Sequence, residues 1–219
     1  DYVCTLSCTD ICSGWFEAEG MIGMGQERTL RGVKLARERM PFNWKEMHPD
    51  NGTSFINDIL YRYSSDEELE FTRSRPYKKN DNCWVEQKNR THVRRMIGVL
   101  RYDTQKELDI INDLYRNELR LYKNFFCPCM KLISKERING KMYKKYDDPK
   151  TPYERVLESN EISDEVKTKL RKQYEELNPA ELKRTIDKKI HNLYNAYREK
   201  KMPKKNKTRS KIKTASVSF

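Results

Sequence analysis

Cysteine, histidine and long apolar runs are all scarce in this chain. Its 219 residues hold 6 Cys and 3 His, and so few Cys over such a length do not make a disulfide framework. Cys4, Cys8 and Cys12 recur every four residues, and Cys127-Pro128-Cys129 is a CxC pair. Neither has the CxxC spacing of a zinc site, and only His48, His92 and His191 could add imidazole. The longest unbroken apolar stretches are short, such as Phe125-Phe126-Cys127, against the roughly 20 residues that cross a bilayer. No charged leader with an apolar stretch precedes Tyr2. Buried reduced thiols, no membrane span and a cytosolic setting are the expectations. Also missing are a Gly-rich phosphate loop, a nucleotide fingerprint and a Ser-His-Asp arrangement, which argues against kinase and hydrolase chemistry.

Charge is what the chain has in abundance. Lys and Arg number 45 against 33 Asp and Glu, for a net charge of +12, and the mean hydropathy is −1.01. The apolar fraction is 36%; even with glycine added it stays under the roughly 45–50% of an average globular chain. A lean core under a wide charged surface follows, in one large domain or one domain with an appendage. The excess is clustered. Residues 198–213 carry nine Lys or Arg against one acid, a run that reads as a disordered, polyanion-attracting tail or a merely solvated end. From Lys123 to Lys150, Lys131, Lys135, Arg137, Lys141, Lys144 and Lys145 interleave with Phe125, Phe126, Tyr143 and Tyr146. That mixture suits phosphate contacts beside stacking rings, or a loop whose aromatics dock on a helix.

Hydrophobic periodicity sets the order of elements. Residues 2–9 alternate as a strand, with Trp15 to Ile22 returning as its hairpin partner. Gln26 to Met40 reads as a helix ending before Pro41. Phe42 to His48 reads as a strand, Ser54 to Tyr63 as a helix and Leu69 to Thr72 as a strand, which is α/β order. A polar loop, RSRPYKKNDN, leads into a helix from Cys83 to about Gly98. Thr104 and Glu107 form a capping box, Ser163 caps a second helix, and Asn178-Pro179 opens a third with Leu182, Ile186, Ile190, Leu193 and Tyr197 on one stripe.

Two acids stand out by context. Asp50 lies in HPDNGTSF, at the end of a predicted strand and before an Asn-Gly turn. Glu86 lies in NDNCWVEQKN, one turn into a helix, with 35 residues between the two. Each alone is weak, being a common turn residue and a common first-turn acid.

Together, spacing and contexts resemble the DDE integrase-core transposases and retroviral integrases. HPDNGTSFIN, FTRSRPYKKNDNCWVEQKN and YDDPKTPYERVL look like one group of bacterial insertion-sequence transposases. The resemblance runs from the VCTLSCTDICSGW hairpin to about Asn178-Pro179 and leaves out the basic tail. It implies an α/β, RNase H-like integrase core (a mixed sheet flanked by helices) over residues 1–100, followed by a mainly helical basic region over 101–197; the charge run marks 198–219 as a disordered tail. It also implies metal-dependent strand cleavage and transfer, in which acidic side chains hold two Mg²⁺ or Mn²⁺ ions. Hard cations take oxygen ligands, and a pair about 3.5–4 Å apart can activate an attacking oxygen and stabilise a leaving one.

Carried over residue by residue, Asp50 resembles the second acid and Glu86 the third, both as metal ligands. The family's first acid lies on a strand preceding the VCTLSCTDICSGW strand. This sequence starts at Asp1, so the first ligand and first strand are expected to be absent, with an unpaired edge left beside Tyr2 to Thr9. Asp10 matches a non-catalytic position. His48 and Asn51 border Asp50 and are expected to support it. Arg90, on the Glu86 face, and Arg94, Arg73, Arg75, Lys78 and Lys79 are DNA-contact candidates, as are Lys131, Lys135, Arg137, Lys144 and Lys145. The implied partners are transposon ends and target DNA, with a homo-oligomer joining two ends, and the implied setting is the bacterial cytoplasm, at the nucleoid. The rival readings are a DNA-binding remnant without chemistry and an RNase H-like nuclease.

Overall fold

The computed structural model describes residues 1–52, 55, 58–75 and 83–201. Strand β1 (Val3–Thr9) and strand β2 (Phe16–Ile22) pair antiparallel, from Val3 opposite Ile22 to Thr9 opposite Phe16. Asp10 shapes the turn between them: its Oδ2 accepts the Ser13 N–H at 2.6 Å and the Ser13 hydroxyl at 2.5 Å. Gly14 takes the left-handed conformation, φ 79°, that brings Trp15 back into register. Six of the seven residues of β2 are buried, because helices cover both its faces.

One face meets helix α1 (Gln26–Arg39), whose Gly32 lets the helix lie close to β1; a Cβ there would stand 3.0 Å from the Leu6 side chain. Leu6, Met21 and Val33 form a core with Met47, Leu60 and Tyr63. The other face meets helix α5 (Gln105–Leu114), which continues through π-helical Tyr115–Leu119 into α6 (Arg120–Phe126). Phe16 and Ala18 pack there with Ile111, Leu114, Tyr115 and Leu119, and with Ile186 and Leu193 of the long helix α9 (Pro179–Lys201). This core crosses the 100/101 division expected from sequence. Helices α7 (Pro152–Glu158) and α8 (Asp164–Glu175) close a third cluster around Trp15 and Phe125.

The mixed α/β character agrees with the sequence reading, whereas the single sheet does not appear among the described residues. Strand β3 (Glu46–Met47) pairs parallel with β4 (Glu70–Phe71), apart from the β1–β2 pair. Only β2 pairs with β1 among the described strands, and the other edge of β1 faces a cavity of about 760 Å³. Helix α2 (Asp58–Asp66) precedes β4, starting later than expected, and the segment foreseen as its first turn lies partly outside the described residues.

Three further differences concern the later part of the chain. Within the basic segment Lys123 to Lys150, for which a docking loop is one reading, residues 132–146 form an antiparallel ribbon of β5 (Leu132–Ile138) and β6 (Lys141–Tyr146), closed by Asn139-Gly140 at φ 49° and 78°. Two consecutive left-handed residues are what a tight hairpin loop requires. The helix foreseen from Cys83 to Gly98 is instead α3 (Cys83–Lys88), a π-helical stretch Asn89–Arg94 and α4 (Arg95–Ile97). Residues 198–201, foreseen as the start of a tail, belong to α9. There the Lys200 ammonium lies 2.7 Å from Asp103 and 2.9 Å from Glu107, so charge pairing extends the helix. Residues 202–219 lie outside the described residues.

Candidate nucleic-acid site

Asp50 follows β3 as the chain leaves the strand's C-terminal end. Its Oδ1 accepts the Gly52 N–H at 2.9 Å, the local turn that Asp-Asn-Gly favours, and no other described group bonds to the carboxylate. His48 and Asn51 support the Asp50 segment through its backbone surroundings. Neither touches the carboxylate. His48 Nδ1 lies 2.6 Å from the Thr72 hydroxyl, its Nε2 lies 3.3 Å from the Ser74 hydroxyl, and the Asn51 amide donates to the Ser74 carbonyl at 2.9 Å. They fasten the Asp50 segment to the chain beyond β4, extending a ladder otherwise two residues long.

Helix α3 reaches β1 through its own continuation: the Ser7 hydroxyl donates to Asn89 Oδ1. Asn89 and Val85 therefore line the same cavity as Asp50 and Asp10. Glu86, between them in sequence, is exposed and points outside that lining. Asp10 is committed to its turn through Ser13. Among the described residues no group of three or more His, Cys, Asp or Glu is arranged to hold a metal. Asp50 and Glu86 are exposed carboxylates of the oxygen chemistry that Mg²⁺ and Mn²⁺ prefer.

Burial disfavours the charged forms of three other groups in the region. Burial and the nearby Glu17 carboxylate push the Cys8 thiol up to about 12, so a cavity-lining cysteine is no nucleophile. His92 packs edge-on against Phe16, with ring centroids 4.9 Å apart. Burial, then the Lys88 and Lys123 cations, lower its pKa to about 2. Burial also lowers Lys88, whose ammonium lies 3.4 Å from His92 Nε2.

The foreseen DNA-contact cations fall into separate groups. Arg73, Arg75, Arg90 and Arg94 are exposed near the Asp50 and Glu86 segments, while Lys78 and Lys79 lie outside the described residues. The π-helical stretch from Asn89 onwards shifts Arg90 off the simple four-residue spacing from Glu86. Lys131 is a correction: its ammonium donates to the Ile11 carbonyl at 2.7 Å and to the Cys12 carbonyl, so it ties the ribbon to the β1–β2 turn. Lys135, Arg137, Lys144 and Lys145 are exposed on the ribbon.

Two structural networks escaped sequence reasoning. Glu17, with no exposure, accepts from Arg120 Nε at 2.8 Å, from Arg39 Nε at 3.1 Å and from the Trp15 indole at 3.1 Å. Glu19 meets Arg116 and Arg39 in the same way. Acids at alternate positions of an apolar strand were the only signal. The other network roots the ribbon. Asp147 accepts the Lys131 N–H at 2.5 Å and Arg155 Nη1 at 2.6 Å, and Arg155 Nη2 donates to the Cys129 carbonyl at 2.8 Å. The Arg155 hydrogen bond holds the Asp147 carboxyl below the usual carboxylate range. Thr151 and Glu154 form a capping box that starts α7 beside it, which gives the YDDPKTPYERVL segment a structural task.

No family model matches the chain. It is 36% identical over 154 residues to the uncharacterized protein y4rM of Sinorhizobium fredii, an alignment that takes in 70% of this chain and 44% of that protein. The chain thus spans under half the length of the curated relative it matches. Among solved structures it is similar to the catalytic core domain of BIV integrase, at 16% identity and a TM-score of 0.44, over 73% of this chain and 88% of that one. No described helix is long and apolar enough to cross a membrane.

Proposed function

We propose that the chain is part of a DDE-type transposase that performs metal-dependent strand cleavage and transfer on DNA. The observation that carries this reading is the pairing of Asp50, in its turn at the end of β3, with the Glu86 helix, whose Val85 and Asn89 line the same cavity. The wording around both acids supports it. Asp50 and Glu86 would hold Mg²⁺ or Mn²⁺, which supplies Lewis acidity toward phosphate oxygens when bound. The chemistry is an in-line displacement: a water or 3′-hydroxyl oxygen gives up its proton to solvent and bonds to phosphorus, the bond to the leaving 3′ oxygen breaks, and that oxygen takes up a proton from solvent. The chain's own part is to present the Asp50 carboxylate at the cavity and Glu86 on the helix that borders it, with the cations of Arg73, Arg75, Arg90 and Arg94 available to the phosphates.

The second reading, a DNA-binding protein without chemistry, is favoured by Asp10. Asp10, a second aspartate of the cavity, is locked in its turn by Ser13 and is no spare ligand. Titration of Mn²⁺ into the chain by calorimetry, with nicking of supercoiled plasmid in parallel, separates the two. Metal binding lost in Asp50→Asn and Glu86→Gln supports the first. DNA retention with no metal uptake by the wild type leaves only the second, and nicking that survives Asp50→Asn removes these carboxylates from the reaction.

A further inference from the structure

The β5–β6 ribbon is a piece of regular structure with nothing beneath it among the described residues. Every residue from Lys135 to Tyr146 is exposed, on both faces of the pair. A two-stranded hairpin with neither face covered is marginal in water, so its own packing does not explain it. Its root is firm nonetheless: the Asp147–Arg155 clamp and the Cys129–Lys150 bridge fix both ends to the start of α7.

The two faces differ in charge. Residues opposite one another share a face, so Lys135 and Lys144 stand together, followed by Arg137 and Met142, with Tyr146 on the same side. That face has three cations and no acid. The other holds Ser134 with Lys145, Glu136 with Tyr143 and Ile138 with Lys141. Lys135 directly opposite Lys144 is a like-charge pair, an arrangement that weakens a hairpin in isolation. None of Lys135, Arg137 and Lys144 has an ion-pair partner among the described residues. A polyanion on this face relieves the repulsion and covers the bare surface in one step.

We propose that the ribbon lays the face bearing Lys135, Arg137 and Lys144 into the major groove of double-helical DNA. This rests on the reading that the protein acts on DNA, and adds which element enters the duplex and by which face. The dimensions agree: seven residues of β5 extend roughly 20 Å at about 3.3 Å each, and the B-form major groove, about 12 Å wide, admits a two-stranded ribbon. The deep, narrow major groove of an RNA duplex does not. Arg137, Met142 and Tyr146 then face base edges and thymine methyls, while Lys135 and Lys144 reach the flanking phosphates.

The test measures binding of the whole chain to a 30-base-pair DNA duplex across a salt series, with an RNA duplex of the same sequence and phosphatidylserine-containing vesicles as competitors. Lys144→Ala and Lys141→Ala remove the same charge from the same strand on opposite faces. The expected result is a loss of affinity of at least fivefold for Lys144→Ala and less than twofold for Lys141→Ala. In Lys135→Ala/Lys144→Ala the salt slope should fall by about two, and the RNA duplex should compete at least tenfold more weakly than DNA. Equal losses on both faces, or equal competition by RNA, overturn the groove placement while leaving DNA binding intact. Vesicles that displace DNA in a manner dependent on Lys135 and Lys144 overturn it in favour of a lipid surface. A wild type that binds no duplex at low salt overturns it together with the functional reading.

Discussion

Asn124 closes both backbone groups of Phe16, accepting its N–H at 2.8 Å and donating to its carbonyl at 2.9 Å. Asn112 treats Gly20 the same way, at 2.7 and 3.1 Å, and Arg39 donates to the Ala18 carbonyl at 2.8 Å. Side chains thus stand in for a further strand along the outer edge of β2. Asn124 has no exposure, so Asn124→Ala leaves an unpaired donor and acceptor in the core. The expected cost is about 2–4 kcal/mol, read from urea unfolding. A loss under about 1 kcal/mol would mean that water replaces the amide.

Glu17 and Arg120 make the second prediction. Burial pushes the Glu17 carboxyl up while Arg120, the Trp15 indole and Arg39 pull it down, so the acid depends on its partners to remain charged. Removing one partner of a buried pair costs more than removing both. Arg120→Met is therefore expected to destabilise by about 3–5 kcal/mol, and Arg120→Met with Glu17→Gln by less. A double variant as weak as the sum of the single ones would show that the two side chains act independently.

His92 sets a pH dependence. Its folded pKa of about 2 lies below the roughly 6.5 of an unfolded histidine. Between those values the unfolded chain binds a proton that the folded one refuses. Stability is fully present above pH 6.5 and falls as the pH drops, by at most about 1.4 kcal/mol per unit from this residue. Thermal midpoints of the wild type should decline from pH 7 to 5 more steeply than those of His92→Gln. Parallel curves would assign the acid sensitivity to other groups.

Local signals are legible in the amino-acid order by itself. The β1–β2 hairpin, α1 ending before Pro41, the Thr104–Glu107 capping box and the Asn178 cap on α9 each depend on neighbours within a few residues. The ribbon is not legible in this way, although Ile138-Asn139-Gly140-Lys141 carries a hairpin turn signal, because strands wet on both faces show no apolar alternation. Glu17 and Glu19 read as solvent-facing until the arginines of α1 and the 115–126 helix are brought to them from far along the chain. At the candidate site, the Asp50 turn follows from Asn-Gly. What His48 and Asn51 bind does not, since Thr72 and Ser74 arrive only through parallel pairing with β4.

The Phe16–Asn124 contact also has a bearing on synthesis. The two residues are 108 apart in the chain, so β2 leaves the ribosome long before the amide that closes its edge. At about 5–20 residues per second the interval is on the order of 5–20 s, in which a newly made hairpin shows open backbone to any neighbouring chain. Glu17 and Glu19 guard it in the meantime. Before the arginines arrive, two carboxylates on one short strand repel a like strand approaching edge to edge. The same two acids thus protect the nascent hairpin first and anchor three helical arginines afterwards.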